Sequence, residues 1–108
     1  MDIQLKRGLL DVLVLSAIKD KDSYGDQIIK DLAPCVSVSE STLYPILRRL
    51  ENQELLRVRS VEHNGRLRKY YSITPEGIER IESFLEEWKE IMAIYKFIAG
   101  KDDTDDEA

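Results

Sequence analysis

Apolar residues recur along this chain with two different periods, and the switch between them divides it. Residues 3–18 carry Ile3, Leu9, Leu10, Leu13 and Ala17 on a broad face, a run whose length favours a first helix over a strand. An Asp-Lys-Asp turn at 20–22 follows. Ser23 is placed to cap a second helix whose stripe is Tyr24, Ile28, Ile29 and Leu32, with Pro34 ending it. Leu43, Ile46, Leu47 and Leu50 then repeat at the i, i+3, i+4, i+7 spacing of a third helix. Ser39 is the predicted cap of that helix, with Ser37 as an alternative, because Ser-Val-Ser-Glu also fits a capping box.

The period then shortens to two. Residues 55–61 and 67–74 are rich in strand-favouring side chains, and Asn64-Gly65 between them is a strong two-residue hairpin signal. With that turn, His63 faces Arg66, Val58 faces Tyr71 and Leu56 faces Ile73, so one side of the hairpin is apolar. The other side carries Arg57, Arg59, Arg68 and Tyr70. Turn chemistry and apolar pattern give the same register independently. Thr74, Pro75 and Glu76 mark a new helix start. This helix is expected to run to residue 99, a length of about 37 Å at 1.5 Å per residue. Ile78, Ile81, Leu85, Trp88, Met92, Tyr95 and Ala99 alternate steps of three and four along it, and Phe84, Ile91 and Ile98 widen the stripe. A helix of that reach outruns the domain it starts from, so Ile81, Leu85, Trp88, Met92 and Tyr95 are expected to pack on a second copy of the chain. Residues 100–108 are acidic, lack large apolar side chains and are expected to be a disordered tail.

Charge changes this picture. The net charge is −5, which argues against a nucleic-acid partner until its distribution is read. Residues 1–38 sum to −1, residues 39–74 to +3 and residues 75–108 to −7, so the middle third is a basic island. Opposite its buried stripe the third helix presents Ser41, Pro45, Arg48 and Asn52, flanked by Tyr44 and Arg49. Pro45 falls just beyond the first turn, where its missing N–H strains the helix. The hairpin tip adds Arg66, Arg68 and Lys69. Three helices, a basic-tipped hairpin and a dimerisation helix make a winged helix-turn-helix, mainly α with a small β-hairpin. The expected parts are a DNA-binding domain at 1–77 and a dimerisation helix at 78–99, ahead of the tail at 100–108. In such a module one helix enters the major groove while the wing reaches the backbone or minor groove. The predicted DNA-contacting residues are Ser39, Ser41, Thr42, Tyr44, Arg48, Arg49, Arg66, Arg68 and Lys69.

Other chemistry is sparse. One histidine, one cysteine, no glycine-rich phosphate loop and no acid–histidine cluster argue against an enzyme and predict no metal or cofactor. His63 is expected to be exposed beside the turn. Cys35 reads as a half-buried filler, with redox sensing as the alternative, and a lone cysteine suits a reducing cytoplasm. The first residues make a poor signal peptide, and no apolar run reaches membrane-spanning length, so no membrane partner is expected.

Two segments carry a family resemblance. "STLYPILRRLE" and "NGRLRKYYSITPEG" resemble the paired motifs of the PadR family of bacterial transcription regulators, on Ser39, Ser41, Thr42, Leu43, Tyr44, Pro45, Leu47, Arg49, Leu50 and Glu51, then Gly65, Arg66, Arg68, Lys69, Tyr70, Tyr71, Thr74 and Gly77. "SYGDQI" at 23–28 is similar to the family's entry into its second helix. The resemblance covers roughly residues 5–80. It implies a homodimeric repressor on palindromic operator DNA, of the short branch in which some members sense planar drugs or phenolic compounds. The chain departs from the pattern twice, with Ser41 and Glu54 where the family usually has glycine. Ser41 adds a hydroxyl to the DNA face, so an operator sequence does not transfer. Glu54 is expected to make the third helix end differently, because glycine tolerates a positive φ and glutamate does not. Trp88 and Met92, mid-way along the last helix, are candidates to hold a small aromatic effector between two copies. The alternative to all of this is a winged-helix protein-docking module that never touches DNA.

Overall fold

A computed structural model describes residues 3–100, with side chains from residue 6 onward. The elements in order are α1 (Ile3–Ala17), α2 (Gly25–Leu32), α3 (Glu40–Asn52), β1 (Leu56–His63), β2 (Arg66–Ile73) and α4 (Pro75–Ala99). Leu15 from the end of α1, Ile18 just after it, Ile28 from α2, Leu43, Leu47 and Leu50 from α3 and Leu56 from β1 are fully buried together. Tyr71 of β2 and Ile81 of α4 close this core. The α3 stripe expected from its spacing is therefore the one that is buried. Among the described residues no helix is long and apolar enough to cross a membrane.

The hairpin has the register that its turn dictates, with Leu56 opposite Ile73, Val58 opposite Tyr71 and His63 opposite Arg66. Asn64 and Gly65 both take positive φ, 52° and 78°, as a type I′ turn requires. The start of α2 differs from expectation. Tyr24, not Ser23, is its N-cap and makes no side-chain cap bond. Ser23 is instead drawn into the sheet: its N–H donates to the Tyr71 carbonyl at 3.1 Å, and the Tyr71 N–H donates to the Ser23 carbonyl at 2.8 Å. This one-residue strand covers part of the outer edge of β2 and plants the start of α2 against the wing. Cys35, expected to be half-buried, is exposed, as are its neighbours Ala33 and Pro34 in the turn after α2.

α3 also ends otherwise than expected. The Leu55 N–H donates to the Leu50 carbonyl and the Glu54 N–H to the Glu51 carbonyl, both at 2.9 Å, which is a Schellman ending. Glu54 occupies the left-handed position of that motif at φ 62°, so the glutamate adopts glycine's conformation rather than rerouting the chain. A latch then joins this ending to α4. The Thr74 hydroxyl donates to the Glu54 carbonyl at 2.8 Å and accepts from the Gly77 N–H at 3.0 Å. Its backbone N–H donates to the Leu55 carbonyl at 3.2 Å. Gly77 packs so closely that a Cβ there would overlap the Leu55 carbonyl and sit 2.6 Å from Ile73 Cγ1.

From this anchor α4 projects outward, and the molecule measures 59 × 26 × 25 Å. Ile81 is buried at 5% exposure inside the protomer, so it does not share the open face expected of it. Leu85, Trp88, Met92 and Tyr95 are exposed. The acidic tail expected at 100–108 lies, beyond Gly100, outside the described residues.

Candidate nucleic-acid interface

The N-terminus of α3 is built from hydroxyls. Ser39 Oγ accepts from the Thr42 N–H at 3.3 Å and lies 3.0 Å from Ser41 Oγ and 3.2 Å from Thr42 Oγ1. The cap thus gathers three of the residues expected on DNA, and all three are exposed. Pro45 is exposed within α3. With no N–H to offer, it leaves the Ser41 carbonyl without its helical partner on the same outer face. Arg48 is exposed beside it.

Tyr44 leans toward the start of α2. A Cβ on Gly25 would collide with the Tyr44 hydroxyl, so glycine is what admits the ring. Burial first, then the neighbouring Glu40 and Asp26 carboxylates, raise the Tyr44 phenol above its ordinary 10.0, which keeps it a neutral donor.

Arg49 has a different employment from the one expected. Its guanidinium pairs with Asp11 of α1, a carboxylate only 4% exposed, whose second oxygen lies 3.5 Å from Arg80 of α4. A carboxylate so buried requires cationic partners. Arg49 therefore ties α3 to α1 and α4, and its charge is largely committed within the protomer. The partner lies thirty-eight positions away in sequence, beyond the reach of any local pattern.

The wing is braced by aromatic rings and cations. The Arg68 guanidinium lies 4.0 Å from the Tyr24 ring centroid, and Tyr24 meets Tyr70 edge-on at 5.4 Å. Arg59 lies over the Tyr70 ring, 5.2 Å from its centroid, and pairs with Asp22 at 2.9 Å. The neighbouring Tyr70 is the main influence that raises the Arg68 pKa above its ordinary value. Arg66 and Lys69 remain exposed. Between wing tip, α2 and α3 lies an open cleft of about 410 Å³ that brings together Tyr44, Arg66, Arg68 and Lys69. Tyr24 and His63 also line it, and sequence reasoning gave neither a site role. A shared edge between the α2 entry and β2 puts Tyr24 there, which only the Ser23–Tyr71 pairing reveals.

On α4, Trp88 stacks on Phe84 of its own helix, centroids 5.8 Å apart and planes 19° apart. With Gly8, Val12 and Ile91 it borders a shallow hollow of about 230 Å³ between α1 and α4. Met92 is exposed and does not line that hollow.

Comparison with known proteins agrees with this arrangement. A PadR-like transcription factor from Bacteroides fragilis has a similar structure, with a TM-score of 0.80 at 33% identity over 88% of this chain and 94% of that one. A PadR family transcription regulator from Clostridium difficile gives 0.76 at 31% identity, covering 84% and 98% of the two chains. Bacillus subtilis PadR, solved in complex with operator DNA, shares the fold at a TM-score of 0.66 and 20% identity, over 71% of this chain and 46% of that one. An uncharacterised protein of Lysinibacillus sphaericus is 33% identical over 93 residues, 82% of this chain and 85% of its own. Residues 14–83, from the last turn of α1 through the wing into the first turns of α4, match the transcriptional regulator PadR-like family. With a winged helix whose basic tip and α3 share one cleft, this chain belongs to the PadR-like family of transcriptional regulators.

Proposed function

We propose that this regulator binds a palindromic operator in the cytoplasm as a homodimer and represses transcription there, and that a planar aromatic effector bound at Trp88 releases it. The observation that carries the reading is the meeting of α3 and the wing around one cleft. Ser41, Pro45 and Arg48 face outward from a helix of the width the major groove admits. Arg66, Arg68 and Lys69 stand beside it, where groove walls carry phosphates. The operator complex of the Bacillus subtilis protein, which shares the fold, supports the same use of these elements here. The exposed Leu85, Trp88, Met92 and Tyr95 supply a face for the second copy. A two-fold axis there sets two recognition helices on a palindrome.

The test is fluorescence anisotropy on the DNA upstream of the protein's own coding sequence, across a salt series and against random DNA. Binding should weaken steeply with salt and favour the upstream DNA by about a thousandfold. Arg48→Ala should lose about tenfold or more on that DNA and relax its sequence preference, as loss of a base contact does. Arg66→Ala should weaken all DNA alike. Equal, weak binding to every DNA, unmoved by either substitution, would replace this reading with the protein-docking alternative.

A further inference from the structure

The recognition helix has two flanks, and only one belongs to the wing. Tyr44, Leu47, Arg48 and Glu51 of α3 face Val58, Lys69 and Tyr71 of the hairpin. On the other flank, Thr42, Ile46 and Arg49 face α1, across a surface hollow of about 200 Å³ completed by Lys6, Arg7 and Leu10. Lys6 and Arg7 are both exposed. Each ion pair formed among the described residues uses some other cation. α1 divides its work between two faces. Gly8 and Val12 look toward α4, whereas Lys6, Arg7 and Leu10 look toward α3.

Ser41, Pro45 and Asn52 project between these flanks, so a duplex seated on them meets cations on both sides. A helix in the major groove lies between two phosphate backbones, and cations on both flanks can hold both. The wing supplies Arg66, Arg68 and Lys69 to one backbone. Resting on the DNA-binding reading above, we infer that Lys6 and Arg7 of α1 form a second phosphate-binding site, gripping the opposite wall of the groove. Arg49 lies in the floor of the same hollow. Its pairing with the buried Asp11 ties α1, the element that carries the Lys6–Arg7 pair, to the recognition helix. A phosphate contact from a rigid element fixes the angle at which α3 enters the groove, while carrying no sequence information itself.

The test compares Lys6→Ala/Arg7→Ala with the wild type and with Arg66→Ala in one salt-dependent anisotropy series. Both positions are exposed on a helix and tolerate alanine, so circular dichroism and melting should match the wild type. The double variant should bind upstream and random DNA more weakly by the same factor. Its slope of log affinity against log salt should be shallower by about 1 to 2, the signature of one or two lost phosphate contacts. Lys6→Arg/Arg7→Lys, which keeps both charges, should restore the slope. A slope and affinity equal to the wild type, alongside a weakened Arg66→Ala, would overturn the second site and leave the wing reading standing. If Arg66→Ala also binds as the wild type does, the DNA-binding reading falls and this inference falls with it.

Discussion

The two halves of α4 follow one heptad pattern and meet opposite fates. Ile81, in the inner half, is 5% exposed, whereas Tyr95, two heptads further on, is 58% exposed and Ile98 is 76% exposed. The inner half starts from the Thr74 latch and lies on the core, where Ile81 closes it. The outer half keeps α1 beside it only at Trp88 and Ile91 among the described side chains, and its last turns are exposed. Heptad spacing thus says that a face must be covered without saying what covers it. The outer half is also apolar beyond a single seam: residues 91–99 contain only one charged side chain, Lys96, and the exposed Ile94 and Phe97 lie off the stripe read from sequence. A helix apolar on several sides needs more cover than a narrow two-helix seam provides.

The comparison breaks most completely at the outer half. Leu85→Glu with Met92→Glu puts two charges into the exposed stripe. If a second copy covers that stripe, the dimer dissociation constant should rise by at least about a thousandfold, equivalent to about 4 kcal/mol. Sedimentation velocity reads the mass, and circular dichroism should show the winged module intact. A wild type that sediments as a monomer at micromolar concentration would remove the premise.

The inner half should break by the opposite route, through stability rather than assembly. Gly77→Ala forces a Cβ against the Leu55 carbonyl and Ile73, in a place where the Thr74 latch leaves the backbone no freedom. Overpacking of this kind costs about 2–3 kcal/mol, and Tm should fall by about 10–20 °C. The effect should appear in the melting of the winged module, whereas the outer seam has no contact with Gly77. A Tm within two or three degrees of the wild type, allowing about 4 °C per kcal/mol, would mean that the latch yields.

What could be read from sequence was whatever a short window determines. Asn64-Gly65 specifies its own turn, and the apolar alternation checks it, so the hairpin register followed before any fold was known. The α3 stripe, the Ser39 cap and the Thr74 cap are equally local. What stayed hidden was decided by distant partners. Arg49 looks like any exposed arginine until Asp11 is brought beside it, and Ser23 looks like a helix cap until Tyr71 takes its backbone. Tyr24 joins the cleft for the same reason. Ile81, Trp88 and Tyr95 occupy equivalent heptad positions, and only their distance from the core separates exposures of 5%, 38% and 58%. The candidate site was therefore legible as a set of residue types on α3 and the wing. The division of its arginines into those facing outward and those holding the protomer together was not.

Glu54 offers the smallest effect and the cleanest sign. It holds φ 62° at the junction where α3 hands over to the wing, and its carbonyl is fixed by the Thr74 hydroxyl. The left-handed conformation costs an L-residue with a Cβ about 1–2 kcal/mol, and glycine escapes that cost while paying about 0.5–1 kcal/mol in unfolded-state entropy. Glu54→Gly should therefore stabilise the protein by about 0.5–1 kcal/mol, raising Tm by about 2–6 °C. Glu54→Ala keeps the Cβ and should give no comparable gain, which separates backbone strain from loss of the carboxylate. Since the Schellman bonds and the latch use only the backbone of residue 54, DNA affinity should be unchanged by either substitution. A destabilised Glu54→Gly would mean that the carboxylate itself holds the junction, and the strain argument would have to be abandoned.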